Sequence, residues 1–434
     1  MEIQKRRVVV KEPQSLPRWL PWFHAALLAL TIWFWWTFLH NATLHGYVYK
    51  RDFASVYVGA RAVSEGLGSQ LYDLEVQRKI MDAAILPYHR KNLLPYIYPA
   101  YVAVLFSPLG AISLDKAFLI WTGINLVVTA WMARRVTQYV RGSLIEKLAI
   151  LVVFFAWVPL QLTLSHGQLG LPCALAITET ILSLQVRRQW RAGWWLALAL
   201  LKPQILLLPL LALLIWRCWR TLASFAAAVV LVAGVSFAKV GFWIAGYLRF
   251  IVEFNGRGAE VSLYPRVMQN WRGLVACLLA NDKSFAAQFL LVVLSAASLV
   301  AVVLVCYRWG AEARRDRTSP SRWEARFAIA VLLGILSSPY LYPHDWVVAV
   351  PALIVLYCLA RDLSAEPEKR SRRVAVVLLW LLALAPFVAF AAQFDFMPGK
   401  SPIQLVAWYM GMLTFTAVLA VRRAGEGGSV PIRA

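Results

Sequence analysis

Runs of about 20 apolar residues, the length a helix needs to cross a hydrocarbon core of roughly 30 Å, recur along this chain and leave it few folds to choose from. They lie at Leu20–Leu39, Lys116–Arg134, Leu148–Leu164, Leu169–Val186, Leu222–Lys239, Phe285–Cys306, Val374–Ala392 and Ile403–Val421. Backbone amides in lipid must be satisfied within the chain, so such a sequence builds a bundle of membrane-crossing helices. Composition agrees: of 434 residues 60% are apolar and 15% charged, and the mean hydropathy is +0.62. Two further apolar regions, Ala192–Trp216 and Phe327–Leu359, are interrupted by Lys202-Pro203 and by Pro339-Tyr-Leu-Tyr-Pro343. Each reads as a hairpin.

The net charge of +22 would suggest nucleic acid in a soluble protein, but 28 of the 44 lysines and arginines sit in clusters between apolar runs, at Lys5–Arg18, Arg134–Lys147, Arg187–Arg191, Arg217–Arg220, Arg308–Arg326, Arg361–Arg373 and Arg422–Arg433. The positive-inside bias explains them, with every cluster cytoplasmic, both termini inside and about 12 crossings. The expected fold is therefore an all-α polytopic membrane protein, a single integral-membrane domain over residues 1–434 in the plasma (cytoplasmic or inner) membrane, with no nucleic-acid partner. Tyr96–Ile112 is apolar too, yet a crossing there would turn the later clusters outward, so it is expected to lie along or dip into the outer leaflet. The basic N-terminus followed by an apolar run resembles a signal peptide. His40, Asn41 and bulky neighbours replace a small-residue cleavage site, and the run reads as an uncleaved first helix.

Five cysteines, Cys173, Cys218, Cys277, Cys306 and Cys358, give no disulfide framework, since only Cys277 is placed in an outer loop. The outer loops over 40–95 and 240–284 are longer than a helix connection needs. Both carry amphipathic stretches, such as Phe53, Val56, Tyr57, Ala60 and Val63, expected to lie in the membrane interface. Asp52 precedes that stretch and puts a carboxylate beside the membrane, where it can act on a hydroxyl of a lipid-linked substrate. It is equally placed to cap the helix by accepting from the amide of Ser55, or to pair with Arg51. Asp73 is second to it among the acids of this loop. Lys202 interrupts an apolar hairpin, and a charge there costs about 2.5–3.5 kcal/mol near the bilayer centre unless it snorkels out. His344 and Arg272 have plain interfacial readings, as a satisfied histidine beside Asp345 and as a contact for lipid phosphates.

The run Asp52-Phe-x3-Tyr57-x-Gly-x-Arg61-x4-Gly66, then Leu71-Tyr-Asp73, Tyr98-Pro99, His166-Gly-Gln168, Leu201-Lys-Pro-Gln204, Met268-Gln-Asn-Trp-Arg-Gly273 and Ser338-Pro-Tyr-x3-His344, resembles glycosyltransferase family 87. The order of these short motifs along the chain carries the likeness, from about Asp52 to about Pro351. The family is similar to the GT-C class of membrane glycosyltransferases, and this implies a GT-C type fold and a polyprenyl-phosphate sugar donor, most often mannose. The resemblance further implies Asp52 as the catalytic base, Lys202, Arg272 and His344 at the donor phosphate, and Tyr57, Arg61, Tyr98, His166, Gln168 and Asn270 as substrate-binding residues. His166 departs from the asparagine common in the family. Tyr57, Tyr98 and Trp271 are candidates to stack on a sugar ring.

These readings give an expected function: transfer of a hexose, mannose first, from a polyprenyl-phosphate carrier to a glycan or glycolipid acceptor on the outer (periplasmic or extracytoplasmic) face. The displacement is inverting, with a carboxylate taking the hydroxyl proton and cations meeting the charge on the departing phosphate. The sugar donor is a co-substrate; no cofactor and no obligatory metal are expected. The partners are the donor, the acceptor and membrane lipids. A lipid-linked sugar flippase or transporter is the alternative, although a transporter would gather its polar groups and broken helices near the midplane of two related halves.

Overall fold

In the computed structural model, residues 20–44, 46–257, 263–279, 283–312 and 321–363 are described. The expected crossings at Val374–Ala392 and Ile403–Val421 lie outside the described residues. Helices in chain order are α1 (Leu20–Ala42), α2 (Phe53–Ser64), α3 (Leu74–Ala84), α4 (Ala100–Gly110), α5 (Leu114–Tyr139), α6 (Leu144–Ala156), α7 (Val158–His166) and α8 (Gly170–Gln185). They continue as α9 (Gln189–Ala197), α10 (Leu207–Ile215), α11 (Trp219–Val240), α12 (Ile244–Arg257), α13 (Trp271–Leu278), α14 (Phe285–Glu312), α15 (Ser321–Leu336) and α16 (Val350–Leu363). No strand occurs among the described residues.

Three of these are long and apolar enough to cross a membrane: α5, α11 and Phe285–Tyr307 of α14. The expected span Leu148–Leu164 is instead split between α6 and α7, bent by 46°. Pro159 explains the break, because it lacks the amide that would bond back to Phe155 and its ring crowds that carbonyl. The run 96–112 forms only α4, whose 11 residues rise about 16 Å, half of a hydrocarbon core. It is too short to cross.

Both interrupted regions break where the sequence places the breaks. Gly193 in α9 packs against Thr221 and Ser224 at the start of α11, and Trp216, just before α11 begins, donates to the carbonyl of Cys306. The two ends of 189–216 therefore meet at one level, and Lys202 stands at the tip of a hairpin. A 3-10 turn at Pro343–Ala349 likewise separates α15 from α16, and these two helices pack on each other.

The first loop is not the interfacial ribbon expected. Nearly all of α2 is buried, from Phe53 through Ala60, because two glycines bring α4 against it. A Cβ on Gly110 would lie 2.4 Å from the carbonyl carbon of Ala60, and one on Gly59 would lie 2.3 Å from the ring of Tyr96. With no side chain at either position, backbone meets backbone and ring, and the expected amphipathic face becomes interior. The approach to α4 is pinned as well: Ser55 Oγ donates to Pro95 O (2.6 Å), Gln77 Oε1 accepts from Tyr96 N (2.7 Å), and Tyr96 Oη donates to Pro99 O (2.7 Å). In the second loop α12 turns Phe250 and Phe254 inward against Leu263, Met268, Tyr340 and Tyr342, while Leu248 and Val252 face outward.

Candidate functional site

Asp52 occupies the N-cap position of α2, but its side chain does not cap the helix. The amide of Ser55 bonds the backbone carbonyl of Asp52 (3.0 Å) instead, and the guanidinium of Arg51 lies over the ring of Tyr47, 4.3 Å from its centroid. The local explanations for Asp52 thus give way to a distant one. Its Oδ2 accepts from Gln168 Nε2 at 2.7 Å and lies 3.1 Å from His166 Nδ1. An ionised carboxylate only accepts, so Nδ1 of His166 is the donor in this contact.

The turn that delivers both partners depends on Gly167. This residue ends α7 with φ 64°, and a Cβ there would come within 2.8 Å of Phe53 Cβ and 2.9 Å of the Phe118 ring. A left-handed residue with no side chain is therefore required. Trp121 Nε1 donates to the Gly167 carbonyl (2.9 Å) and holds the turn from α5.

Lys202 joins this group from the hairpin tip. Its backbone leaves the helix at φ −139°, and Pro203 supplies no amide to continue it. Nζ donates to Gln168 Oε1 (3.1 Å) and forms a buried ion pair with Asp345 Oδ1, both side chains being below 10% exposed. Asp345 in turn accepts from the amide of Tyr342 through Oδ2 (2.9 Å), and Thr163 of α7 donates to the carbonyl of His344 (2.7 Å). One chain of polar contacts runs Asp52, Gln168, Lys202, Asp345. His344 lies between its ends, with Nδ1 3.9 Å from Asp52 and Nε2 3.5 Å from Asp345.

This chain forms the wall of a cavity of about 870 Å³. The Asp52 side chain is 29% exposed, open enough to meet a substrate hydroxyl. Burial pushes its carboxyl up, but the hydrogen bond and positive field of His166, the field of His344 and the hydrogen bond from Gln168 outweigh that and hold it below the usual carboxylate range. The carboxylate form is the stable one.

The structure brings Asp52, Tyr98, His166, Gln168, Lys202 and His344 to this cavity. Tyr98 Oη reaches Gln168 Oε1 at 3.4 Å. Four expected residues go elsewhere. Tyr57 and Arg61 line a separate cavity of about 600 Å³, and their polar groups tie α2 to the end of α4, Tyr57 Oη to Ile112 O (2.7 Å) and Arg61 Nη1 to Gly110 O (3.1 Å). Asn270 caps α13, accepting from Gly273 N (2.9 Å) and donating to Ser338 O (2.6 Å). Arg272 donates to Asn255 Oδ1 (3.0 Å) and lies over the Tyr340 ring, outside the cavity lining. Asp73 caps α3, accepting from Glu75 N at 2.8 Å.

Three features escaped the sequence reading: Asp345 as the counter-ion of Lys202, Arg90 and Lys91 in the lining, and the aromatic wall of Tyr264, Tyr340 and Tyr342. Asp345 adjoins His344 in the same motif, which was a usable signal. Arg90 and Lys91 lie in a loop whose fold no spacing reveals.

Residues 96–339 match the model of glycosyltransferase family 87. The chain belongs to glycosyltransferase family 87. The matched segment begins after Asp52 and ends before His344 and Asp345, so the family 87 core supplies the Gly167 turn and the Lys202 tip, and flanking segments complete the cavity. Among similar proteins is a polyprenol-phosphate-mannose-dependent alpha-(1-2)-phosphatidylinositol pentamannoside mannosyltransferase of Mycolicibacterium smegmatis, 26% identical over 84% of this chain and 82% of the relative. A protein of the same description from Mycobacterium tuberculosis is 28% identical over 75% of this chain and 72% of the relative. A phosphatidylinositol mannoside mannosyltransferase with the same donor dependence, also from M. smegmatis, is 26% identical over 78% and 75%. No solved structure matches the chain. This family 87 protein is a glycosyltransferase.

Proposed function

We propose that this family 87 enzyme transfers mannose from a polyprenyl-phosphate carrier to a glycolipid acceptor, with Asp52 taking the proton of the attacking hydroxyl. The observation that carries the reading is a partly exposed carboxylate, held ionised by His166 and Gln168, in the wall of a cavity of about 870 Å³. In a single inverting displacement the acceptor oxygen bonds the anomeric carbon, the sugar–phosphate bond breaks, its electron pair stays on the phosphate, and the proton passes to Asp52. General-base help of this kind is worth roughly 10²–10⁴-fold. His166 and Gln168 position the carboxylate, Lys202 positions Gln168, and His344 faces the phosphate. The donor dependence in the names of the three relatives supports mannose and the carrier, and their phosphatidylinositol-mannoside acceptors support a glycolipid.

The further elements of the reading are about 12 crossings in the cytoplasmic membrane, by the positive-inside bias, and a cavity open to the outer face. The basic residues Arg187, Arg188, Arg217 and Arg220 lie at the foot of the hairpin whose tip carries Lys202, which supports that orientation. The test is transfer of labelled mannose from polyprenyl-phosphate mannose to a membrane lipid extract, wild type against Asp52→Asn. Loss of transfer in Asp52→Asn is the expected result. Unaffected transfer sinks the base assignment, and no transfer by the wild type from any polyprenyl-phosphate sugar sinks the enzyme's donor class.

A further inference from the structure

The charge balance of the cavity is short of what a phosphate requires if only its deep wall is counted. Among the described residues of that wall, Asp52 and Asp345 are two carboxylates beside two histidines and a single lysine, Lys202, which is already ion-paired and buried. The donor brings a phosphodiester with one negative charge, and bond cleavage leaves a polyprenyl phosphomonoester carrying about −1.5 to −2. Placed against the deep wall alone, that charge would find no permanent cation that is not already paired, as the bond breaks. The other lysine and arginine side chains among the described lining residues are Arg90 and Lys91.

Arg90 is built to receive an anion. One terminal nitrogen, Nη1, donates to the carbonyl of Tyr49 (3.2 Å), while its own backbone carbonyl accepts from Arg78 Nη1 (3.3 Å), so the residue is tied at both ends. The ring of Tyr88, two residues earlier, stacks on Tyr49 with centroids 4.4 Å apart. Among the described residues the guanidinium has no carboxylate within ion-pair distance. It is half-buried, and its field reaches Asp52. A guanidinium is a planar fork suited to two phosphate oxygens at once, and anchoring one nitrogen removes much of the rotamer freedom that binding would otherwise have to remove. Lys91 is exposed beside it and adds an unanchored charge at the mouth.

We infer that Arg90, assisted by Lys91, is the residue that binds the phosphate of the lipid-linked sugar and meets the charge developing on it, an inference resting on the transfer reading above. Lys202 then serves the framework: its charge goes to Asp345, and Arg90 supplies the cation that the leaving group needs.

The experiment measures binding of a long-chain polyprenyl phosphate to the purified full chain in detergent, with the uncharged polyprenol as the companion ligand, alongside mannosyl transfer. Arg90→Gln is expected to weaken polyprenyl phosphate binding at least about tenfold, leave polyprenol binding alone, and lower transfer by roughly 10²–10³, the usual loss for one donor to a developing anion. Arg90→Lys keeps the charge without the fork and should fall between, which guards against a variant that merely misfolds. Polyprenyl phosphate bound by Arg90→Gln as tightly as by the wild type overturns the inference. A wild type that binds polyprenyl phosphate through Arg90 yet transfers no mannose would leave the phosphate site standing and remove the mannosyl-transfer reading. A wild type that transfers, with Arg90→Gln equal to it in both measurements, does the reverse.

Discussion

The Lys202–Asp345 pair offers the sharpest test of how the cavity wall is held. Both side chains are below 10% exposed, so neither charge is hydrated enough to stand alone. Truncating one partner of a buried pair costs about 3–5 kcal/mol, because the other is left uncompensated. In Asp345→Asn, Lys202 keeps only Gln168 Oε1; in Lys202→Met, Asp345 keeps the Tyr342 amide and the looser approach of His344. The double variant Lys202→Met/Asp345→Asn removes both charges, and the asparagine oxygen still accepts from Tyr342. Buried pairs replaced by neutral groups are often nearly as stable as the original, so the double variant should lie well above the sum of the singles, with a coupling of about 2–4 kcal/mol. Equilibrium or thermal unfolding of the four proteins in one detergent reads this directly. Additive losses would show that the two charges do not compensate each other. A stable double variant whose donor KM rises a hundredfold would show that the Lys202 charge serves the donor phosphate rather than Asp345.

Three further outcomes are expected. Gly167→Ala combines a left-handed φ with contacts below 3 Å to Phe53 and Phe118, and the strain of about 1–2 kcal/mol will be relieved by moving His166 and Gln168 away from Asp52; kcat should fall about 10²-fold with little change in expression, and unchanged kcat would refute the role of the turn. Because the folded Asp52 value is depressed, its carboxylate persists as pH falls, and the stability it contributes is present above the unfolded value and lost only as pH drops through the lower folded one. The transfer rate should accordingly show no acid limb from Asp52 above about pH 4, and a limb near pH 6 that vanishes in Asp52→Asn would contradict this. A membrane-impermeant thiol reagent applied to intact cells should label Glu75→Cys and not Arg188→Cys beyond the native thiols, and the opposite pattern would invert the topology.

Much of the cavity was legible because its residues stand where apolar runs stop. Asp52 precedes an apolar stretch, while the His166-Gly-Gln168 turn, Lys202 and His344 each interrupt or end one, and these breaks meet at the same end of the bundle. Tyr57, Arg61 and Asn270 belong to the same motifs but lie outside this cavity's lining and fasten the motifs together, through carbonyls of Ile112 and Gly110 and through the cap of α13. Sequence spacing does not separate a residue that touches the substrate from one that holds its neighbour. The burial of α2 was hidden for a similar reason, since it follows from Gly59 and Gly110 meeting residues 37 and 50 positions away in the chain. Asp345 was read as the companion of His344, and only the fold shows that it answers Lys202 from 143 residues further on.

The close contact between α2 and α4 has a mechanical consequence. Gly110 leaves no space against the backbone of Ala60 and Arg61, so the two helices shift as one piece, with Asp52 at the far end of that piece. Leu105 of α4, an apolar helix, is 61% exposed. A displacement of α4 would be carried through α2 to Asp52, against the Phe53–Phe118 contact and the bonds from His166 and Gln168. If the transfer reading holds, kcat is expected to change across vesicles of graded thickness and to lose that change in detergent; a kcat indifferent to thickness would refute the coupling.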